Sequence, residues 1–287
     1  MSTRSAWFNE GDTVAHCQSK SPLDALEARM LLTHVTAYTR VQLITLSDAR
    51  LTAQQAEHLS RLTQRRVDGE PIAYLLGERE FFGLLFQVTP DVLIPRPDTE
   101  LLVELALART PNDGAVLDLG TGSGAIAVAI AAQNDGKDIV RKISAADISP
   151  AALTVAKRNA ERLVPNFTAI QFYLSDWMQA IPPQIFDTIV SNPPYIVKDD
   201  EHLSQGDLRF EPIDALTDHH DGLSAYRSII AGAPRYLKKD GWLLMEHGYH
   251  QAQDVQALLC EAGFDEVQSW QDIAGIWRVT GGLWKGK

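Results

Sequence analysis

Apolar residues recur at intervals of three and four over the first eighty positions, which is the spacing of one helix face. One series extends over residues 23–35 and follows Ser21-Pro22, a pair typical of a helix cap and first turn. A second series extends over residues 51–66 and is followed by Gly69, which suits a helix end. The pattern predicts a small helical bundle at the N-terminus.

The periodicity changes after Glu80. Short apolar runs up to Pro97 are interrupted by Gly83, Pro90 and Pro95, a composition typical of a hairpin or an extended connector. We therefore expect a helical domain over residues 1–80 and a linking hairpin over residues 81–97.

Residues 98–287 alternate between strand-like and helix-like segments. Such alternation predicts an α/β fold with a mostly parallel sheet flanked by helices. The predicted strands are Val116–Leu119, Ile143–Ala146, Ala169–Tyr173, Phe186–Val190, Trp242–Met245 and Phe264–Trp270. The predicted helices are Thr99–Arg109, Ala125–Ala132, Pro150–Leu163, Ala225–Leu237 and Gln251–Ala262.

Composition narrows the possible classes of protein. With 287 residues, 45% of them hydrophobic, the chain is long enough for one large domain or for a large and a small one. Its 37 acidic against 26 basic residues give a net charge of −11, which argues against affinity based on phosphate contacts. We see no apolar stretch long enough for a signal peptide or a membrane span, and two isolated cysteines favour a reducing compartment. A cytoplasmic protein without a metal site is expected.

A glycine-rich turn follows the first strand of this region. The segment Val116–Ala125 contains Gly120, Gly122 and Gly124 and leads directly into a helix. Glycines at this point let a ligand approach the backbone, and the helix N-terminus favours polar or anionic groups. The segment also satisfies the dinucleotide pattern G-x-G-x-x-A, so this motif alone is equally compatible with a nicotinamide cofactor.

Two further residues are placed to hold a nucleoside. Asp147 ends the next predicted strand, where a carboxylate can accept hydrogen bonds from ribose hydroxyls. Trp177 follows the third strand, where its aromatic plane could lie against an adenine.

The segment Asn192-Pro193-Pro194-Tyr195 carries the most specific chemistry. It ends the strand Phe186–Val190, at the sheet edge where open α/β proteins bind ligands. A planar amide or aromatic amine is a poor nucleophile, and its two hydrogens need acceptors that fix its position. The Asn192 side chain and the Pro193 carbonyl can each accept one hydrogen, and Tyr195 can pack on the flat target group. These residues indicate methyl transfer to a nitrogen.

The combination of these motifs resembles the amino-methyltransferases that use S-adenosylmethionine. Further segments are similar to the release factor glutamine methyltransferases, the HemK/PrmC family. They are residues 69–72, Arg79-Glu80, Leu93–Glu100, Gln205–Pro212 and Glu246–Gly248. The resemblance covers nearly the whole chain.

The resemblance implies a Rossmann-like class I methyltransferase sheet in residues 98–287, with an N-terminal helical bundle domain in residues 1–80 that serves substrate recognition. It implies N5-methylation of the glutamine in the Gly-Gly-Gln motif of class 1 peptide chain release factors by a monomer that makes no direct contact with nucleic acid or membrane. Residues implied to hold S-adenosylmethionine are Gly120, Thr121, Gly122, Ser123, Gly124, Asp147, Trp177 and Asn192. Those implied to hold the glutamine are Asn192, Pro193, Pro194 and Tyr195, of which Asn192, Pro193 and Tyr195 are expected to be catalytic.

Some details depart from the family or have no assigned role. Residues 135–142 form a longer and more charged segment than expected, which predicts a surface loop. Residues 275–279 lack the polar pair that the family more often has before Arg-Val, so that hairpin receives no catalytic role. Arg96 and Glu100 fit either the mouth of the cofactor site or structural support.

Four other functions are compatible with part of the pattern. The same chemistry could act on a ribosomal protein, and adenine in DNA presents the same kind of amine, although the negative charge disfavours DNA. A non-catalytic module that binds a translation factor would have no need of an intact Asn192–Tyr195. A nicotinamide oxidoreductase would share only the glycine-rich turn.

Overall fold

The computed structural model describes residues 6–134, 138–165 and 170–286. The chain divides into two compact units, Met1–Gly77 and Glu78–Lys287. A hairpin is present, over residues 78–87 rather than the expected 81–97, and it lies within the second unit. Residues 135–137 of the expected surface loop and Ala169, the expected first residue of a strand, lie outside the described residues.

The first unit is helical, as the periodicity predicts. Its core consists of apolar side chains from successive helices, among them Val14, Leu31, Leu43 and Leu59. The short helices α1, α3 and α5 escape prediction because five to seven residues are too few to establish a periodicity. The helices are α1 (Val14–Lys20), α2 (Ala25–Thr36), α3 (Arg40–Thr45), α4 (Ala53–Val67) and α5 (Ile72–Leu76).

The expected start of helix α2 at Ser21-Pro22 is wrong. Its N-cap is Asp24, whose Oδ1 accepts hydrogen bonds from the backbone N–H of Leu26 (2.7 Å) and Glu27 (3.0 Å). Ser21 is instead the C-cap of α1. A carboxylate that satisfies two free N–H groups of the first turn is the stronger cap.

The second unit contains a seven-stranded sheet in the order β5-β4-β3-β6-β7-β9-β8. The strands from β5 to β7 are parallel, and β9 pairs antiparallel with both β7 and β8. Along the chain, β4 and β5 follow β3 on one side of it, and β6 then pairs with the other side of β3. The direction of winding therefore changes between β3 and β6. The strands are β3 (Ala115–Leu119), β4 (Lys142–Asp147), β5 (Ile170–Leu174), β6 (Phe186–Ser191), β7 (Leu237–Glu246), β8 (Asp265–Gln271) and β9 (Trp277–Trp284). The separate hairpin is β1 (Glu78–Phe81) and β2 (Leu84–Gln87).

Helices cover both faces of this sheet. On β3, Val116 packs in the core that includes helix α7, whereas Leu117 and Leu119 pack in the opposite core. This alternation is the two-residue period of a strand buried on both sides. The helices are α6 (Glu100–Arg109), α7 (Ala125–Ala132), α8 (Pro150–Leu163), α9 (Ile213–Leu216), α10 (Ser224–Gly232) and α11 (Ala252–Glu261). Of the helices in the described residues, none has both the length and the apolar composition that a membrane span requires.

Two elements near the C-terminus differ from expectation. Helix α10 ends at Gly232, before Pro234, and Leu237 already belongs to β7 rather than to the helix. Strand β9 was not predicted because Gly281 and Gly282 interrupt its pattern. A Cβ at Gly281 would lie 2.6 Å from the Leu243 carbonyl oxygen, so this glycine serves close packing against β7.

We expect Asp24→Ala to lower the free energy of unfolding of the first unit by about 1 kcal/mol, because two N–H groups of α2 lose their acceptor. Ser21→Ala is the matched comparison, and its effect should be clearly smaller. Urea unfolding of the full chain, followed by circular dichroism, measures both. Equal losses in the two variants would contradict the assignment of Asp24 as the cap.

Candidate functional site

A cavity of about 620 Å³ lies at the carboxyl edge of the parallel strands in the second unit. Its lining includes residues from the loops that follow β3, β4, β5 and β6, together with residues from helices α9 and α10 and from the segment before α6. Sequence-predicted residues that line it are Gly120, Gly122, Asp147, Trp177, Asn192 and Pro194. Residues from four separate loops therefore surround one space.

The glycine-rich loop forms one wall of this cavity. Gly120, Gly122 and Gly124 all have positive φ angles, of 71°, 56° and 82°, so glycine suits the backbone at each position. A Cβ at Gly122 would meet no atom within 4 Å, which leaves room for a ligand against the backbone. At Gly124 a Cβ would lie 3.1 Å from Cβ of Ala156, so this glycine brings α7 close to α8.

Asp147 connects two of the loops. Its Oδ2 accepts a hydrogen bond from the Gly122 N–H (2.8 Å), and its Oδ1 accepts one from the Ser149 N–H (2.9 Å). Burial raises the pKa of this carboxyl group, and the backbone hydrogen bonds lower it. Each carboxylate oxygen keeps a second lone pair with which it can accept a ligand hydroxyl.

Asp118 lies behind the glycine-rich loop and is completely buried. Its Oδ2 accepts hydrogen bonds from the Thr121 hydroxyl (2.6 Å) and from the Ala127 N–H (3.2 Å). Its Oδ1 has no hydrogen-bond partner within the part of the chain that the structure describes. Burial and the charge of Asp147 raise the pKa of Asp118 to about 7, although its hydrogen bonds with Thr121 and Ala127 lower it.

Trp177 lies on the loop that follows β5. Its backbone has a positive φ of 46°, which is rare for a bulky residue, and its ring would lie 3.8 Å from a Cβ placed on Gly120. The preceding Ser175 donates its N–H to the Asp147 carbonyl, which ties this loop to the end of β4. The indole therefore lies close to Gly120, on a loop that is bonded to the backbone of Asp147.

The Asn192 segment begins where β6 leaves the sheet. The Ser191 hydroxyl donates to the Leu119 carbonyl (2.8 Å), which joins the ends of β6 and β3. Asn192 Nδ2 donates to the Thr99 hydroxyl oxygen (3.2 Å). This bond fixes the orientation of the amide, because Nδ2 donates to a group of the protein itself. No hydrogen bond to its Oδ1 occurs among the described residues.

Tyr195 is held by a residue that the sequence did not single out. Gln251 Nε2 donates to the carbonyl oxygens of Tyr195 and Gly222, at 3.1 Å each, and its Oε1 accepts from the Gly248 N–H (2.9 Å). A Cβ at Gly222 would lie 2.6 Å from the Tyr195 carbonyl oxygen. Burial raises the pKa of the Tyr195 phenol, so its side chain is neutral, and Tyr195 is not among the residues that line the cavity.

Glu246 is the last residue of β7, and only 2% of its surface is exposed. Thr99 and Asn192 carry hydrogen-bond donors beside its carboxyl group, and both lower its pKa. Burial raises its pKa to about 7 in spite of these donors. The Tyr226 hydroxyl donates to the Glu246 carbonyl (2.9 Å) and fixes the backbone there.

Arg96 and Glu100 form internal contacts. The Arg96 guanidinium pairs with the buried Glu211 carboxylate, which also accepts from the Ile94 N–H (3.0 Å). Glu100 Oε1 accepts from the Phe82 N–H (2.9 Å). Both contacts support the structural alternative for these two side chains. Glu211 joins the segment before α6 to the loop that carries Pro212 in the cavity wall.

The C-terminal hairpin also reaches this region. Arg278 of β9 pairs with Asp98 (3.1 Å) and with Asp272 (3.1 Å). Asp98 precedes Thr99, the hydrogen-bond partner of Asn192. The hairpin therefore supports the turn beside the site.

Other predicted site residues do not line the cavity. Thr121 is engaged with Asp118, the carbonyl of the buried Ser123 accepts from Asn159 (2.9 Å), and Pro193 is buried. Sequence reasoning assigned no site role to most of the remaining lining residues, of which only Leu93 and Pro212 lie in segments that resemble the family. They include Asp91, Val92, Leu93, Ile148, Ala152, Pro212, Asp214, Ala215, Thr217, Asp218, His219, Ser224, Ala225 and Ser228.

Comparison with known proteins identifies relatives over almost the full length. The family model of the PrmC N-terminal domain matches residues 15–77, and that of the methyltransferase small domain matches residues 97–207. The release factor glutamine methyltransferase of Burkholderia pseudomallei is 51% identical over 276 residues, which are 94% of this chain and 95% of that protein. Its counterpart in Neisseria gonorrhoeae is 49% identical over 262 residues, which are 91% and 93%.

A solved structure also shares the fold. A methyltransferase from Pyrococcus furiosus aligns with a TM-score of 0.54 at 19% identity and covers 79% of this chain and 100% of that chain. Identity this low shows the fold alone.

We expect the pH dependence of stability to reflect Asp118. In the folded state it keeps its proton up to about pH 7, whereas its ordinary pKa is 3.8. Between these values the folded state binds more protons than the unfolded state, so the free energy of unfolding falls as the pH rises.

Asp118→Asn cannot ionise, so its free energy of unfolding should fall less between about pH 5 and about pH 8 than that of the unmodified protein. Urea unfolding at both pH values measures the difference. Asp113→Asn, at an exposed position, is the control and should behave like the unmodified protein. Equal pH dependence in all three proteins would contradict the assignment.

Proposed function

The chain belongs to the release factor glutamine methyltransferase family, and we propose that the loop Asn192–Tyr195 is where it holds the glutamine of its substrate. It transfers the methyl group of S-adenosylmethionine to the side-chain nitrogen, N5, of the glutamine in the Gly-Gly-Gln motif of class 1 release factors. The observation that carries the proposal about the site is the orientation of the Asn192 amide. Its Nδ2 is bonded to Thr99, which leaves Oδ1 as an acceptor at the cavity.

Two acceptors match the two hydrogens of a glutamine amide. Asn192 Oδ1 accepts one, and the Pro193 carbonyl accepts the other. The lone pair of the amide nitrogen is delocalised, so correct placement of the nitrogen contributes much of the rate. Two consecutive prolines restrict the backbone that presents these acceptors, and Tyr195 packs against the planar amide.

The cavity fits the methyl donor. S-adenosylmethionine supplies, when bound, a methyl group made electrophilic by its positive sulfur. We propose that Gly120 and Gly122 let it approach the backbone, that Asp147 accepts hydrogen bonds from its ribose, and that Trp177 packs against its adenine. The room at Gly122 and the free lone pairs of Asp147 support this assignment.

We further propose that the N-terminal helical unit takes part in recognition of the release factor. Residues 1–77 contain eight acidic and eight basic side chains, so the whole excess of acidic residues lies in residues 78–287. A release factor works on RNA and needs basic surfaces, which an acidic catalytic unit complements. We propose action as a monomer in the cytoplasm, without direct contact with nucleic acid, on the basis of the family resemblance and the negative charge.

Transfer of a labelled methyl group tests the function. The protein, incubated with labelled S-adenosylmethionine and a class 1 release factor, should label that factor but not the same factor with its Gly-Gly-Gln glutamine replaced. Nuclease treatment should leave the labelling unchanged. Ribosomal proteins and duplex DNA serve as alternative acceptors. Label on the replaced factor, or preferential label on either alternative acceptor, would refute the assignment.

We expect Asn192→Ala to lower kcat by at least about 100-fold, because it removes a positioned hydrogen-bond acceptor at the reacting nitrogen. Binding of S-adenosylmethionine, measured by calorimetry, should largely survive. Asn112→Ala, at an exposed position, is the matched control and should retain full turnover. Normal turnover of the Asn192→Ala protein would remove the proposed role of this residue.

A further inference from the structure

Glu246 is a buried acid at the reactive edge of the sheet. It ends β7 next to the Asn192 loop, because β7 pairs with β6 and Met245 lies opposite Ser191. One of its oxygens, Oε2, is buried without a hydrogen-bond partner in the described part of the chain. Burial of a carboxyl group without full compensation is costly, so a position that keeps one invites a functional explanation.

Glu246 lies beside the Asn192 amide and beside Thr99, which accepts a hydrogen bond from that amide. The Thr99 hydroxyl and the Asn192 amide both lower the pKa of the Glu246 carboxyl group, and Asn192 Nδ2 donates to Thr99 Oγ1 at 3.2 Å. The nitrogen end of the Asn192 amide therefore meets acceptors on the protein side. Its oxygen end has none of these contacts.

We propose that Glu246 is a positioning residue for methyl transfer and that, with Thr99, it holds Asn192 with Oδ1 toward the substrate amide. The proposal rests on the role of Asn192 in glutamine binding. Glu246 itself touches neither substrate, so its effect on the reaction passes through Asn192.

A carboxylate is suited to this task because it can only accept hydrogen bonds. It attracts Nδ2 and repels Oδ1, so one of the two amide orientations is strongly favoured. A glutamine at the same position could donate as well as accept, and it would satisfy either orientation of Asn192. In the inverted orientation Asn192 would present its Nδ2 to the N–H groups of the substrate amide.

The protonation state of Glu246 should therefore affect the reaction. Burial raises its pKa to about 7. This value includes the charge of Asp98, which raises the pKa, and the effects of Arg278, Thr99 and Asn192, which lower it. The other titratable groups around it are the phenols of Tyr195 and Tyr226 and the imidazole of His247, whose ring nitrogens contact the Gly248 carbonyl and the Thr280 hydroxyl. The protonated acid can donate a hydrogen bond, so it no longer selects one orientation.

The test compares Glu246→Gln with Glu261→Gln, a substitution at an exposed position at the end of α11. For Glu246→Gln we expect kcat to fall by about 10- to 100-fold, because the acceptor is misplaced in part of the molecules. The KM for release factor and the Kd for S-adenosylmethionine should change less than about threefold, since many other contacts determine both. Glu261→Gln should leave all three unchanged.

The pH profile separates positioning from a purely structural role. In the unmodified protein kcat should rise with pH through about 7, as Glu246 loses its proton, and this limb should be absent in Glu246→Gln. An unchanged kcat or a retained limb in Glu246→Gln would overturn the proposal. So would a parallel loss of kcat and of S-adenosylmethionine binding.

Substitution of Thr99 provides an independent test if the Glu246 variant does not fold. Thr99→Val keeps the shape but removes the acceptor for Asn192, and we expect about a 10-fold fall in kcat. Thr99→Ser retains the hydroxyl and should recover most of that loss. Equal rates in the two variants would overturn the proposal. Absence of methyl transfer by the unmodified protein would instead refute the proposed function.

Discussion

The parallel pairing of β3 with a strand on each side is the constraint on which the site depends. Leu119, the last residue of β3, lies opposite Ala146 of β4 and opposite Ser191 of β6. The next residues along the three strands are Gly120, Asp147 and Asn192. The register of β3 therefore brings the backbone of Gly120, the Asp147 carboxylate and the Asn192 amide to one edge of the sheet. Gly120 and Asn192 are 72 positions apart in the chain.

Hydrogen bonds across the strand ends hold that arrangement. The Ala146 carbonyl accepts from the N–H groups of Gly120 and Thr121, and the Leu119 carbonyl accepts from the Ser191 hydroxyl. Asp147 then joins the glycine-rich loop to the start of α8. A site built in this way is rigid before a ligand arrives, which reduces the cost of positioning a weak nucleophile.

Buried carboxyl groups recur behind the site. Asp118, Glu211 and Glu246 are all withdrawn from solvent, and burial raises the pKa of each. Each faces donors from other segments: Asp118 the glycine-rich loop, Glu211 the segment before α6, and Glu246 the Asn192 loop. The desolvation of these acids is offset by contacts that position backbone and side chains around the cavity.

The sequence by itself determined the helical first unit, the α/β class of the second and the loops that bear the chemistry. Periodicity and glycine or proline content are local, so they could be interpreted without a fold, and Asn192-Pro193-Pro194-Tyr195 limited the reaction. Only the tertiary structure decided that Thr99, Gln251 and Glu246 support that segment. Their partners are distant in sequence. Thr99 and Glu246 lie in segments that resemble the family, but the resemblance assigns neither of them a role, and Gln251 lies outside those segments. Likewise β9 was not predicted, because a glycine at position 281 does not fit a strand pattern. The reason for that glycine is its close packing against Leu243, which exists only once the strands have paired.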